Sequence, residues 1–503
     1  MFKKFYITTT LPYVNAEPHI GFAAEIIRAD VVARYRRMLG EEVFFNTGTD
    51  EHGLKIFRKA EEAGLSPQAY CDQLAARFNE LKPVLNLSFN NFIRTTDAHH
   101  VAAAQAFWRR CLAKGDIYKK KYKVKYCVGC ELEKTESELI DGFCPLHPNK
   151  PLELIEEENY FFRFSNYQQA LLDLYNHQKN FVLPQHRLTE IRNFVAGGLQ
   201  DFSISRLKEK MPWGVPVPND EEQVMYVWFD ALVNYISCLG WPEDEKNFKI
   251  FWPGLQVCGK DNLRQQTAMW QAMLMSAGLP TSQQVLIFGF ITNNGQKMSK
   301  SLGNVIDPFI LVDKFGVDVV RYYFLREIQV FEDSDFSETR LVDRYNNELA
   351  NEFGNLVNRV LVMTEKYTNA TVPEVAEGFL AGAWPAYHLA FEEYRLGDAL
   401  NIVCDLVRQA NQFIEQQQPW ALAKLDEKKM LNDTLYILLE TLRHIAWMLL
   451  PFMPDTAAKL FVQLGLEVPK EFGQSFESAW IWGELKPGHK IARGEPLFPR
   501  KET

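Results

Sequence analysis

The sequence predicts an α/β protein: a sheet wrapped by helices, interrupted by a segment that carries metal-ligand chemistry, and followed by a last third that is nearly all helical. Three observations predict it. Residues 5–46 read strand, helix, strand; Cys127, Cys130, Cys144 and His147 fall at C-x2-C-x13-C-x2-H; and from about Arg340 the apolar residues recur at helical spacing.

The first unit sets the frame. Residues 5–11 are β-branched and aromatic and read as a buried strand that Pro12 ends. Between His19 and Leu39, residues Ile20, Ala23, Ile27, Val31, Tyr35 and Met38 keep a helical period, and Gly40 supplies the stop. Residues 42–46 make the next strand. Such a unit places its ligand crevice at the carboxyl ends of the strands and at the helix N-terminus, where backbone amides and the helix dipole favour an anion. His19 stands there within PHIGF, residues 18–22; its imidazole adds a donor, and Gly21 lets a base or ribose press against the backbone. A histidine at a helix start is by itself more often a cap or a core residue. The second stretch that gives it weight is GQKMSKSLGNV, residues 295–305. Lys297 and Lys300, between Gly295 and Gly303, can fold over a polyphosphate and neutralise charge as pyrophosphate leaves, with Ser299 and Ser301 as hydroxyl donors. Neither a P-loop nor a dinucleotide fingerprint occurs.

Composition excludes several classes. At 503 residues, 47% hydrophobic and 24% charged, the chain has the composition of a globular protein with a large core. A formal charge of -9 argues against non-specific binding along nucleic acid, while leaving room for a local basic patch. No apolar run is long enough to span a bilayer; the longest, around residues 445–453, is broken by Pro451. Pro12 and Asn15 interrupt the run after Lys3 and Lys4 too early for a secretory leader. Eight cysteines in so long a chain do not make a disulfide framework, so a reduced, cytoplasmic compartment is expected.

The inserted segment opens with IYKKKYKVKY, residues 117–126, a strand with lysines on one face. That face is either simply solvated or, beside its aromatics, an RNA contact. The cysteines and histidine then form two short chelating pairs, as tetrahedral Zn2+ requires; with four protein ligands the site is closed and structural. Strands follow at 250–257 and 285–289 with a helix at 262–277, and 307–326 is a helical connection. In the last third Leu349, Phe353, Leu356 and Val360 share one face, which leaves Asn355 and Arg359 on the other. A glutamine run ends at Pro419, leaving the Trp420 indole exposed.

TTTLPYVN at 8–15, PHIGF, TGTDEHG at 47–53, the cysteine knuckle, YVWFDA at 226–231, GKD at 259–261 and KMSKS together resemble the class I aminoacyl-tRNA synthetases. LPY and VWFDA point within that class to the methionyl-tRNA synthetases, and the resemblance runs over essentially the whole chain. It implies a Rossmann-like class I synthetase catalytic core in two halves, 1–115 and 225–295, around a zinc-knuckle insertion at 116–224. A KMSKS loop and linking fold at 296–340 would follow, then a C-terminal α-helical anticodon-binding domain at 341–503. It implies that L-methionine is activated with ATP and Mg2+ and transferred to tRNA(Met), and that one Zn2+ is structural. A monomer is expected, because the extra oligonucleotide-binding domain some members use to dimerise is absent. Of the residues, His19, Lys297 and Lys300 would serve catalysis, and Pro18, Gly21, Gly259, Asp261, Met298, Ser299 and Ser301 would hold ATP. Leu11, Tyr13, Asp50, Trp228, Ala231 and Tyr235 would take methionine, whose sulfur gains from aromatic contact, and Asn355, Arg359 and Trp420 would read the anticodon. The segment 116–224 is too short for a large inserted editing domain. Two departures stand out: Phe22 replaces the second histidine of H-x-G-H, and Gln265 and Gln266 stand where a ring and a histidine are expected. They keep a non-catalytic tRNA-binding paralogue open, and a cysteine-type synthetase, whose metal binds substrate thiolate, is the other alternative.

Overall fold

The computed structural model describes residues 3–129, 132–134, 138–298, 303–378, 382–469 and 479–499. Its centre is a six-stranded sheet of β1 (Lys4–Thr9), β2 (Glu42–Thr49), β3 (Asn91–Arg94), β4 (Val182–Leu183), β5 (Leu255–Gly259) and β6 (Gln284–Phe288). The spatial order is β3-β2-β1-β5-β6-β4 and every pairing is parallel. Both faces are covered: Phe5 and Ile7 of β1 face one hydrophobic cluster and Tyr6 faces another, so the strand is apolar on both sides of its pleat. Strand β4 comes from within residues 116–224, so that segment supplies one edge of the main sheet.

Helix α1 (Ile20–Met38) packs on the first cluster and starts at an N-cap formed by His19. Three elements differ from expectation. Ile250 and Phe251 close a helix, Glu245–Phe251, and do not open the strand; Phe248 and Phe251 are buried three apart, and a short apolar run fits either period. The helix expected at 262–277 is divided into a 3-10 turn (Lys260–Asn262), a π turn (Gln265–Met269) and an α-helix (Trp270–Ser276). The segment 307–326 splits into Pro308–Phe315 and Val317–Arg326, because Gly316 takes φ 89° between them.

The strand Ile117–Cys127 pairs antiparallel with Glu153–Phe162, which sets Lys121 opposite Glu158 and Lys123 opposite Glu156. Lys123 reaches Glu156 at 3.1 Å and Lys119 reaches Asp220 at 2.7 Å, so these two lysines of the row are neutralised in place. The last third packs the helices Asn355–Thr368, Ala383–Glu392, Leu396–Gln417, Lys428–Leu449 and Pro454–Gln463 onto the first cluster. No helix among the described residues is long and apolar enough to cross a membrane.

A buried ion pair ties this helical region to the sheet. Arg321 donates to Asp30 at 2.8 Å, to the carbonyls of Phe452 at 2.8 Å and Pro451 at 2.9 Å, and to that of Leu85 at 3.1 Å. Burial by itself would raise the Asp30 carboxyl, but Arg34 and Arg321 hold it at about 2. Arg321→Leu leaves three buried carbonyls without their donor and removes one of the two guanidinium groups that face Asp30. A loss of about 3–5 kcal/mol is expected in a denaturant melt; an unchanged midpoint would contradict this account of the junction.

Candidate active site

A cavity of about 440 Å3 opens at the carboxyl ends of β1 and β5, where the strand order reverses. Beyond β1 its wall holds Leu11, Tyr13, Pro18, His19 and Gly21, and just beyond β2 it holds Asp50. Trp228, Ala231 and Tyr235 form a second side, Gly259 ends β5 with Asp261 just beyond it, and Met298 also lines the cavity. The backbone of Lys297 belongs to the short strand Gln296–Lys297, which pairs antiparallel with Ile291–Asn293. Ser299, Lys300 and Ser301 lie outside the described residues, as does Cys130.

His19 has extended backbone dihedrals, and its Nδ1 accepts the Gly21 amide at 3.0 Å. In the neutral ring this puts the proton on Nε2, which makes that atom a donor. A Cβ on Gly21 would lie 2.8 Å from the His19 ring and 3.8 Å from the Met298 methyl, so only glycine fits where the two motifs meet. The Ile20 amide donates to the Ile306 carbonyl at 3.1 Å, which joins the helix start to the chain beyond KMSKS. Phe22 packs edge-on against Phe78, ring centres 5.5 Å apart, and both rings face the cavity. At this position a hydrophobic wall replaces a donor.

The amino-acid side of the cavity is braced from behind. The Asp50 amide donates to the Pro12 carbonyl at 3.0 Å and the Val14 amide to the Asp50 carbonyl at 3.1 Å, which fixes the loop carrying Leu11 and Tyr13. Trp228 and Ala231 sit on the helix Val227–Ala231 with Asp230, whose buried carboxylate meets His52 Nδ1 at 2.6 Å and His100 Nε2 at 2.9 Å. Burial pushes that carboxyl up, and the two imidazoles, His52 first, outweigh it and hold it at about 2.

Sequence reasoning missed Thr10, Glu25 and Lys55 on the cavity wall. The signal for Glu25 was present: an acid four residues after Gly21, hence on the same face, in an otherwise apolar helical stretch. Its Oε1 accepts the Thr10 amide at 3.1 Å and the Thr10 hydroxyl. Burial dominates and raises its carboxyl from 4.5 to about 7, with Asp261 adding to the rise and Thr10 and Arg28 opposing it.

Beside the cavity, Cys127, Cys144 and His147 bring their ligand atoms within 4.8 Å of one another. His147 Nδ1 lies 3.7 Å from the Cys127 sulfur and 3.9 Å from that of Cys144. Tetrahedral zinc with ordinary Zn–S and Zn–N bonds would set these pairs about 3.6 Å apart, so the three fit the ion. A Cβ on Gly129 would strike the His147 ring at 2.4 Å. The same segment sends Tyr126 and Val128 into a small cluster with Tyr13, Val227, Trp228 and Ala231, so the knuckle packs directly on the cavity wall.

Asn355 and Arg359 lie a turn apart on the outward side of their helix, Arg359 donating to Glu415 at 2.6 Å. Trp420, in the short helix after left-handed Gln418, is 38% exposed. All three sit away from the cavity wall.

The arrangement invites comparison with known proteins. The sequence model for "tRNA synthetases class I (M)" matches residues 5–150 and 132–361, and that for "Anticodon binding domain of methionyl tRNA ligase" matches 380–502. The methionine--tRNA ligase of Thermotoga maritima is 44% identical over 99% of this chain and 80% of its own length; that of Thermosynechococcus vestitus is 45% identical over 99% and 97%. The Mycobacterium tuberculosis methionyl-tRNA synthetase in complex with methionyl-adenylate superimposes with a TM-score of 0.94 at 39% identity, covering 99% of this chain and 100% of that one. The apo form of that enzyme gives 0.87 at 35%, covering 100% and 99%. Sheet, cavity and matches define a class I aminoacyl-tRNA synthetase core. Within that class the chain belongs to the methionyl-tRNA synthetase family, and the cysteine-type alternative is set aside.

Glu25 generates a pH prediction. Its folded value, about 7, lies above the ordinary 4.5, so the folded state binds the extra proton. This stability is fully present below about 4.5, falls as pH rises, and is lost above about 7. Glu25→Gln keeps the acceptor for Thr10 and has no such titration. Melting curves at pH 6 and pH 8.5 are expected to show a smaller drop for the variant than for the parent; parallel drops would refute the assignment.

Proposed function

We propose that this protein activates L-methionine with ATP to methionyl adenylate and transfers the methionyl group to tRNA(Met), with the cavity at the sheet's switch point as its active site. One observation carries the reading: the imidazole-capped start of α1 and Met298 of KMSKS wall the same cavity whose other end is aromatic and apolar. In this reading ATP lies with its ribose and base along Pro18, Gly21, Gly259 and Asp261, and its phosphates meet the His19 Nε2 donor at the positive end of the α1 dipole. Lys297 and Lys300, with Ser299 and Ser301, would close over the phosphates. Mg2+ arrives with ATP and, when bound, shares the neutralisation of phosphate charge.

The methionine carboxylate is itself the nucleophile. It forms a bond to the α-phosphorus as the bond to pyrophosphate breaks, and no protein nucleophile takes part. Rate comes from holding the two substrates in line and from stabilising charge on the departing pyrophosphate. Asp50 suits the ammonium group, and Tyr13 and Trp228 with Leu11, Ala231 and Tyr235 suit the thioether side chain. The terminal adenosine hydroxyl of the tRNA then attacks the activated carbonyl and AMP departs. Asn355, Arg359 and Trp420 are well suited to single-stranded bases, the indole as a stacking surface and the Asn and Arg as readers of base edges.

The division into catalytic halves at 1–115 and 225–295, an insertion at 116–224, a linking fold at 296–340 and an anticodon domain at 341–503 belongs to the same proposal. So do one structural Zn2+ held by Cys127, Cys130, Cys144 and His147, a monomeric state and a cytoplasmic location. The packing of Tyr126 and Val128 on the cavity wall gives the metal an indirect task, to hold that wall.

Methionine-dependent ATP–pyrophosphate exchange on purified protein tests the activity, and its absence would sink the reading. Trp420→Ala is expected to keep exchange and to lose tRNA charging by tenfold or more, at about 1–3 kcal/mol per stacked base; equal loss of both would remove Trp420 from the tRNA contact. Metal analysis is expected to return one zinc per chain, and Cys144→Ser to lower it together with the thermal midpoint. A metal-free, fully active preparation would contradict the zinc assignment.

A further inference from the structure

One buried cation on the cavity wall is short of partners. Arg28 lies on α1 with Gly21 and Glu25, at spacings of four and three residues that put them on one face, and all three line the cavity. It is 2% exposed. A guanidinium carries five N–H donors. Among the described residues that of Arg28 donates from Nη2 to the Gln329 carbonyl at 2.9 Å, while its buried Nε has no acceptor. Three other buried arginines, Arg34, Arg321 and Arg443, each meet a carboxylate, at 2.7, 2.8 and 2.7 Å. Arg28 pairs with none among the described residues. Its guanidinium carbon sits over the Phe288 ring, 5.2 Å from the centre, and burial lowers the group to about 10, with Glu25 opposing the fall. A charge buried with so few partners is costly, and a ligand acceptor in the cavity would complete its shell.

Position selects the ligand. Arg28 lies about 13 Å beyond His19 along α1, at 1.5 Å per residue. Phosphates held at His19 are out of its reach, and the part of a nucleotide that lies deeper along the helix is its base. Phe288, which ends β6, lines the cavity beside Arg28 as an apolar surface. Glu25, one turn earlier, adds an acceptor: Thr10 occupies its Oε1, and above about 7 the group is a carboxylate. Adenine shows an amino donor beside an acceptor ring nitrogen on both of its edges, N6 with N1 and N6 with N7, whereas guanine puts the acceptor O6 where adenine has the donor. An acid and a guanidinium one turn apart therefore match adenine and oppose guanine.

We propose that Arg28 is a specificity-determining residue that reads the base of the nucleotide, donating to the adenine ring nitrogen next to the amino group that Glu25 accepts. This rests on the ATP reading above and adds to it a residue that lies outside every motif that reading uses. The Phe288 ring holds the guanidinium plane from one side and the Gln329 carbonyl holds one of its arms, so the remaining donors have a fixed direction.

The test crosses a change in the protein with a change in the base. Methionine-dependent pyrophosphate exchange is measured at pH 8.5, where Glu25 is charged, with ATP, 1-deaza-ATP or 7-deaza-ATP as the nucleotide; each analogue keeps the amino group and lacks one acceptor nitrogen. Arg28→Met is expected to lower kcat/KM for ATP about tenfold, chiefly through KM for the nucleotide, and to leave KM for methionine unchanged. For the analogue that lacks the nitrogen Arg28 reads, the same substitution should cost almost nothing, because the contact is already absent. A merely structural role would lower all three nucleotides alike, and that result overturns the proposal. Arg28→Gln, which keeps an amide donor for the Gln329 carbonyl, carries the same comparison if Arg28→Met fails to fold. A parent protein that uses all three nucleotides equally well overturns the proposal with no variant made. Absence of methionine-dependent exchange with ATP in the parent would instead strike the functional reading itself, so the two failures are distinct.

Discussion

The divergence of the chain beyond β1 and β5 is the constraint on which the site depends. Two parallel neighbours leave the sheet in opposite directions, and the gap that opens between them is the cavity. Every wall is then a consequence of connectivity: the loop after β1, the start of α1 and the turn after β5 all converge because parallel strands put like ends together. The close fit at Gly21, where a methyl would collide with the His19 ring, shows how little slack the convergence has.

Buried polar groups do most of the bracing. Asp230 lies between two imidazoles, Asp30 between two guanidinium groups, and a relay of amides underlies Tyr235. Each of these groups would be costly to bury alone, and each has at least one partner distant in sequence. Such networks fix the orientation of the wall they support, because a misplaced element would leave them unsatisfied. The segment of Cys127, Cys144 and His147 packs differently, setting Tyr126 and Val128 against the same wall next to three side chains of metal-ligand type that lie together.

Departures from the family pattern are absorbed in two physical styles. Phe22 turns a polar position into an aromatic contact with Phe78, which removes a donor from the wall. Gln266 keeps a polar position polar, but with an amide whose two ends differ, so that it has an orientation where an imidazole would have tautomers.

How much was legible depended on whether the signal was local. Strand β1, α1 with its His19 start, the strand Ile117–Cys127 and the outward placement of Asn355 could be read because period and capping are properties of neighbouring residues. Ile250 and Phe251 were misread because a short apolar run carries no period, and only the packing of Phe248 and Phe251 on the second cluster selects the helix. Glu25 and Lys55 were overlooked because what marks them is the cavity, which sequence spacing does not display. By itself the sequence determined the family, the opening strand-helix-strand order and the chemistry available at each motif, since these follow from residue type and spacing. Only the tertiary structure decided which of those motifs share a wall, that the segment holding β4 completes the main sheet, and that burial shifts Glu25 toward neutrality. Those properties arise between residues tens to hundreds of positions apart, where desolvation and hydrogen-bond partners exist only once the chain has folded.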